Sequence, residues 1–281
     1  MNDLKPAAEL QNWKVTLAYD GSDFSGWQVQ PGEPTIQAEL QAALGRICGE
    51  TPLPQGSGRT DAGVHALAQV ASFALRAPIP AENLHRALNK TLPSAIRVIE
   101  ARRVASEFHA RHSAVAKTYE YRIFRGRICP PTLARFAHAC TWKLDGALLD
   151  EAAATVVGEH DFTSLAATDA DAAQRLKDGL EQKTAVRRIF SSQWSMTESE
   201  AGALLIYRVR GNGFLHHMVR NVVGTMLEIG RGQFPAGSMR SILEARSRSV
   251  AGPTAPARGL FLHSVEYGGA DVEVESSPSG N

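Results

Sequence analysis

The stretch Gly56-Ser57-Gly58-Arg59-Thr60-Asp61-Ala62-Gly63-Val64-His65-Ala66 runs almost at once into Ala68-Gln69-Val70-Ala71-Ser72-Phe73-Ala74-Leu75. Three glycines in eight positions give a backbone able to take φ > 0 and to approach a ligand without side-chain obstruction. Within that pliable loop sit a guanidinium, a hydroxyl and a carboxylate: Arg59, Thr60 and Asp61. The segment after it, rich in Val, Phe and Leu, reads as a short buried strand. A carboxylate on a loop held by a buried strand suits an active site, because scaffolds present chemistry on loops. The same residues also fit a plain glycine-rich turn with a surface aspartate.

Outward from this stretch, strands and helices alternate. Val15–Tyr19 reads as a first strand, and Thr35–Cys48 as a helix with Thr35 at its N-cap and Ile36, Leu40, Leu44 and Ile47 on one face. A helix over Pro80–Leu92, striped by Leu84, Leu88 and Leu92, leads to a strand over Ile96–Val104. The first half is thus β-α-β-α-β around one sheet face. Beyond it, Thr118–Phe124 reads as a strand with Tyr119, Tyr121 and Ile123 on the face opposite Glu120 and Arg122. Leu148–Val157 reads as a helix, and Arg187–Ser195 and Leu204–Val209 as strands. The periodicity of Phe214–Ile229 predicts a helix that Gly230 and Gly232 stop, with Arg220 on its polar side. Ser238–Ala245 is a further helix and Phe261–Tyr267 a last strand. No internal repeat is visible. The polar segment 166–183 reads as a surface excursion, and the acidic tail 268–281 as disordered.

Composition narrows the classes. The chain has 281 residues, 43% of them hydrophobic, which supplies core for one large or two ordinary domains. No apolar run reaches the ~20 residues of a membrane helix. The N-terminus lacks a basic region followed by an apolar one, so secretion is not expected. The three cysteines, Cys48, Cys129 and Cys140, form no C-x-x-C pair, which argues against a disulfide framework or zinc site and for a cytoplasmic setting. Lys and Arg number 30 against 29 Asp and Glu, but the charge is uneven. Arg97–Arg127 holds eight basic and three acidic residues with two histidines and two tyrosines, while the last fourteen residues hold three acids and no base. Basic residues interleaved with aromatics fit a surface that follows phosphates and stacks bases. A solvated strand face would carry the same charges.

Several motifs together are more specific. GSGRTDAGVHALAQVASF resembles the catalytic signature of the tRNA pseudouridine synthase A (TruA) family. Tyr19-Asp20-Gly21-Ser22, Phe24 and Gly26-Trp27-Gln28 resemble that family's opening motif, and Phe108-His109-Ala110-Arg111 with Lys117-Thr118-Tyr119-Glu120-Tyr121-Arg122 its middle one. Gly213-Phe214-Leu215-His216-His217-Met218-Val219-Arg220-Asn221 and Gly259-Leu260-Phe261-Leu262 resemble its closing motifs. The blocks keep the family's order from about Val15 to Tyr267.

The resemblance implies a pseudouridine synthase fold of α+β class: two α/β subdomains with mostly antiparallel sheets joined into one extended sheet, helices on one face, and a cleft between the halves. On that basis the subdomains are 1–110 and 111–267. It implies isomerisation of uridine to pseudouridine at positions 38, 39 and 40 of the tRNA anticodon stem-loop, by a flipped base and an aspartate nucleophile. A catalytically silent tRNA-binding or RNA-chaperone module on the same fold is the alternative. The resemblance makes Asp61 the catalytic carboxylate, Tyr119 the aromatic that meets the base, and Leu260 an apolar wall. Arg59 would fill the space of the extruded base, and Arg220, across the cleft, would be the cation that keeps Asp61 ionised. The partners it implies are tRNA and a second copy of the chain, in a homodimer, with no cofactor and no metal. The segment 166–183 exceeds the usual family length and would lie near the tRNA. An intact set of Asp61, Arg59, Tyr119 and Arg220 favours the enzyme over the silent module.

Other motifs read as bland. Gly56-x-Gly58 lacks the third glycine of a dinucleotide loop, where Asp61 stands. His216 and His217, adjacent on the expected helix, would point about 100° apart and lack H-E-x-x-H spacing. His65 and His109 have no evident third partner for a triad. Asp20 is placed to order the turn at Gly21, and Trp27-Gln28 reads as architectural.

Overall fold

Apolar alternation along Gln11–Tyr19 buries Trp13, Val15, Leu17 and Tyr19, and makes β1 a central strand. The computed structural model describes residues 9–167, 184–198 and 202–269, in two units drawn from Met1–Val115 with Leu262–Asn281 and from Ala116–Phe261. The chain is α+β with mostly antiparallel pairing, as the sequence implies. Among the described residues no helix is long and apolar enough to cross a membrane. Most of the 166–183 segment and of the 268–281 tail lies outside the described residues.

In the first unit β1 pairs antiparallel with β3 (His65–Leu75) and β4 (Ile96–Val104), and the two-residue β2 (Gln55–Gly56) pairs with β3. Trp13 lies opposite Phe73 and Val15 opposite Ala71, both pairs buried. The register shifts between Leu17 and Tyr19, a bulge of the kind that bends a strand and re-aims a side chain. Helix α1 (Ile36–Cys48) starts where Thr35 Oγ1 accepts the Ala38 N–H, and it buries Ile36, Leu40 and Leu44. In α2 (Ala81–Thr91) Pro80 is the N-cap rather than a first-turn residue, and Leu84 and Leu88 are fully buried. Each such leucine contributes about 1.5–3 kcal/mol by leaving water. Lys14 is buried too, its ammonium 4.8 Å from the Tyr267 ring centroid and 5.9 Å from that of Phe108.

The second unit orders its strands β5 (Ala114–Phe124), β9 (Leu204–Gly211), β8 (Val186–Thr197) and β7 (Gly158–Asp161), with β6 (His138–Ala139) parallel to β5. The chain leaves the first unit within β5 and returns to it within β10 (Leu260–Tyr267). Among the described residues its helices are α3 (Pro131–Ala134), α4 (Gly146–Thr155), α5 (Met218–Gly230) and α6 (Ser238–Ala245).

Two sequence expectations need correction here. Helix α5 begins at Met218, not Phe214, because His217 holds a left-handed backbone (φ 58°) that an α-helix cannot contain. Nor does α5 have a polar side: every residue in it but Arg220 is buried, including Asn221, Thr225 and Glu228. Asn221 and Thr225 satisfy polar atoms within the chain, Asn221 Nδ2 donating to Leu165 O at 3.0 Å and Thr225 Oγ1 to Asn221 O at 2.7 Å.

Glu120 does face away from Tyr119, yet it is only 2% exposed. Arg122 Nε and Arg208 Nε each reach one of its oxygens at 2.7 Å. Burial alone would raise the carboxyl's pKa; the two guanidiniums outweigh it and hold the group below its ordinary value. A pKa lowered by folding gives stability that is present above the unfolded value, about 4.3, and lost as pH falls through the folded one. Unfolding free energy should therefore drop as pH falls below about 4.3, and Glu120→Gln should remove part of that slope. Parallel acid titrations of the two proteins check this; superimposable slopes would contradict it. Others of the basic run bond or stack within the chain. Arg97 donates to Pro93 O and Ile96 O, Arg103 lies over Trp13, and Arg125 donates to Cys140 O.

Candidate active site

The loop carrying Asp61 is fastened rather than pliable. Of its three glycines only Gly63 takes a left-handed backbone, φ 75°. Beneath the loop lie buried polar side chains from β1 and β3. Ser57 Oγ donates to Gln69 Oε1 at 2.7 Å, Gln69 Nε2 donates to Gly58 O at 2.9 Å, and the Tyr19 hydroxyl meets Thr60 Oγ1 at 2.8 Å. The backbone is held as well: Trp27 N donates to Thr60 O at 3.0 Å and Val64 N to Asp61 O at 3.1 Å. The Trp27 contact depends on Gly26, whose φ is +93° and where a Cβ would stand 2.6 Å from Thr60 O. Asp61 is half-buried and Arg59, between the tethered Gly58 and Thr60, is exposed.

The opening motif supports this loop as the sequence suggests. Asp20 Oδ1 accepts from Ser22 N at 3.0 Å and Ser22 Oγ at 2.6 Å, an Asx-type turn at Gly21. Buried His65 contributes to the same turn, its Nδ1 accepting the Gly21 N–H at 3.1 Å. Trp27 is 2% exposed, an architectural residue.

In the second unit Tyr119 is 8% exposed and meets Phe214 edge-on, centroids 5.0 Å apart. Tyr121, two residues along, is core: its ring is fully buried and its hydroxyl donates to Pro256 O at 2.8 Å. Burial pushes the Tyr121 phenol well above its usual pKa, so it remains a donor. Arg220 is fixed by the segment that runs along α5. Its Nε donates to Ala255 O at 2.8 Å and its carbonyl accepts the Ala255 N–H at 3.1 Å. That segment is stitched to the helix again where Thr254 Oγ1 donates to Asn221 Oδ1 at 2.7 Å and Gly252 N to Thr225 Oγ1 at 3.0 Å. Leu260 opens β10 and is 5% exposed; Phe261 and Leu262 are core, with the Arg122 guanidinium 3.9 Å from the Phe261 centroid. His216 and His217 precede α5, so the helical angle expected between them does not apply; their rings lie 3.9 Å apart, 39° from parallel.

Arg59 and Asp61 thus share one loop of the first unit, while Tyr119, Arg220 and Leu260 belong to the second. Sequence reasoning missed Tyr19, Thr60 and Gln69 as a supporting layer. The signal was a glutamine within a mostly apolar strand, fully buried here.

Residues 16–113 and 152–268 match the family described as tRNA pseudouridine synthase. The chain belongs to that family. Asp61, Arg59, Arg220 and Leu260 lie in the matched residues and Tyr119 between them. The tRNA pseudouridine synthase A of Solibacter usitatus (strain Ellin6076) is 51% identical over 258 residues, 92% of this chain and 100% of that one. That of Moorella thermoacetica (strain ATCC 39073 / JCM 9320) is 44% identical over 256 residues, 90% of this chain and 98% of that one. That of Limosilactobacillus fermentum (strain NBRC 3956 / LMG 18251) is 41% identical over 261 residues, 92% and 96%. As a tRNA pseudouridine synthase the chain is an enzyme, an isomerase, and the recognition made on sequence motifs stands.

Proposed function

We propose that this chain converts uridine to pseudouridine at positions 38, 39 and 40 in the anticodon stem-loop of tRNA, with Asp61 as nucleophile. In this isomerisation the bond from ribose C1′ to uracil N1 breaks and one from C1′ to C5 forms. The C5 proton leaves and N1 gains one, so atoms balance without any redox partner. A carboxylate oxygen can attack uracil C6 or ribose C1′ without a separate activating base. The observation that carries the reading is Asp61 itself, half-buried on a loop pinned on both sides, in a chain of this family.

The target base leaves its stack, at a cost of a few kcal/mol, and Arg59 takes its place. The exposed position of Arg59 between two tethered residues supports that role. Tyr119 stacks on uracil, worth about 1–3 kcal/mol, Leu260 closes the apolar side, and Arg220 supplies the positive charge that keeps Asp61 ionised. Two copies of the chain bind one tRNA in the cytoplasm.

Release of tritium from tRNA labelled at uridine C5 tests the reaction: the enzyme should release label in step with pseudouridine formed. A silent RNA-binding module would bind the tRNA and release none. Arg220→Lys should keep fold and tRNA affinity and lower turnover on the order of 100-fold, the scale for one lost electrostatic donor. Unchanged turnover in a kinetic comparison would remove Arg220 from the mechanism.

A further inference from the structure

Under the Asp61 loop the buried hydrogen bonds form a connected chain. Gly58 O can only accept, so the Gln69 amide must turn its nitrogen toward it, and its oxygen toward Ser57, which donates. The second Gln69 N–H reaches the Tyr19 oxygen at 3.4 Å, and the Tyr19 hydroxyl pairs with Thr60 Oγ1 at 2.8 Å, a bond in which either hydroxyl can donate. The bonds therefore link Ser57 to Gln69, Gln69 to Gly58 O and Tyr19, and Tyr19 to Thr60. All four side chains are 6% exposed or less, so water does not compete with the chain. Burial also pushes the Tyr19 phenol up to about 12, which keeps its proton in place at working pH. The bulge at the end of β1 sets Tyr19 opposite Ala66 while Gln69 pairs with Leu17, so the strand irregularity lies where the chain of bonds passes.

We propose that Gln69, Tyr19 and Thr60 are positioning residues, a buried hydrogen-bond clamp that fixes the backbone on both sides of Arg59 and so presents Asp61 to its substrate while Arg59 stays free to move. The clamp rests on the reading of Asp61 as nucleophile. It acts on rate rather than on tRNA affinity, because none of its atoms is exposed enough to touch RNA. A reacting group displaced by ~1 Å loses about 10²-fold in rate, the scale expected here.

The test compares Tyr19→Phe, Thr60→Val and Thr60→Ser with the parent in single-turnover pseudouridine formation, tRNA Kd, and hydrogen exchange of the Ser57–Gly63 amides. Tyr19→Phe and Thr60→Val should slow the single turnover roughly 10- to 100-fold. They should speed exchange at those amides and leave Kd within about threefold. Thr60→Ser, which keeps the hydroxyl, should recover most of the rate lost in Thr60→Val. Parent rates in both variants, a rate loss shared by Thr60→Ser, or unchanged loop exchange would overturn the clamp. So would a Kd that rises in step with the loss of rate. Asp61→Ala, run alongside, separates the two ideas. An active Asp61→Ala would sink the nucleophile and leave the exchange result standing. An inactive Asp61→Ala beside a fully active Tyr19→Phe would sink only the clamp.

Discussion

Asp61→Ala should bind tRNA within a few-fold of the parent Kd and form no pseudouridine at any enzyme concentration. The expected loss is on the order of 10⁶-fold, the scale seen when a covalent nucleophile is deleted. On the proposed role of Asp61 the effect is large because one group would carry the bond-making step, and small on binding because one carboxylate adds little to a contact surface dominated by phosphates. Asp61→Asn, of nearly the same shape, should be equally silent, which separates loss of charge from loss of packing. The measurement is tritium release with enzyme in excess over tRNA. Residual turnover in both variants would mean that the nucleophile lies elsewhere.

Gly224→Ala should be the most damaging small change to the fold. A Cβ at Gly224 would collide with the carbonyl oxygen of Pro253, a backbone atom that cannot swing aside. Relief requires the segment 252–255 to lift from α5, and that would break the paired bonds between Arg220 and Ala255 together with those from Thr254 and Gly252. Over-packing combined with lost buried hydrogen bonds gives about 3 kcal/mol of destabilisation or more. For a chain of this size that lowers Tm by roughly 6–12 °C. Activity should fall with it, because Arg220 is aimed by the same segment. Gly146, at the start of α4, meets nothing within 4 Å of an added Cβ. Gly146→Ala should be neutral or stabilise by up to about 1 kcal/mol. Thermal melts of the two variants check the contrast; equal melting temperatures would contradict it.

Much of this molecule is legible from periodicity. Ile96–Val104 appears with both ends as read, and α1 with Thr35 as its cap, because alternation and capping are local properties. The start of α5 was not legible: Phe214 and Leu215 continue the apolar stripe, and only the left-handed backbone at His217 breaks it. Glu120 shows the limit of the strand rule. Its parity was right, yet two arginines, one from a strand far along the chain, bury it. The Asp61 loop looked pliable because three glycines are visible in sequence, whereas the groups that fasten it come from Tyr19, Trp27 and Gln69, which no local window joins. The motifs carried the family; the physical support of its aspartate had to come from the fold.

Pseudouridine formation in the anticodon arm through Asp61 has a direct test in cells. Pseudouridine should be mapped in tRNA from cells lacking the chain and from the same cells given back either the parent or Asp61→Ala. Positions 38, 39 and 40 should lose the modification without the chain, regain it with the parent, and stay unmodified with Asp61→Ala. Full modification without the chain, or restoration by Asp61→Ala, would contradict it.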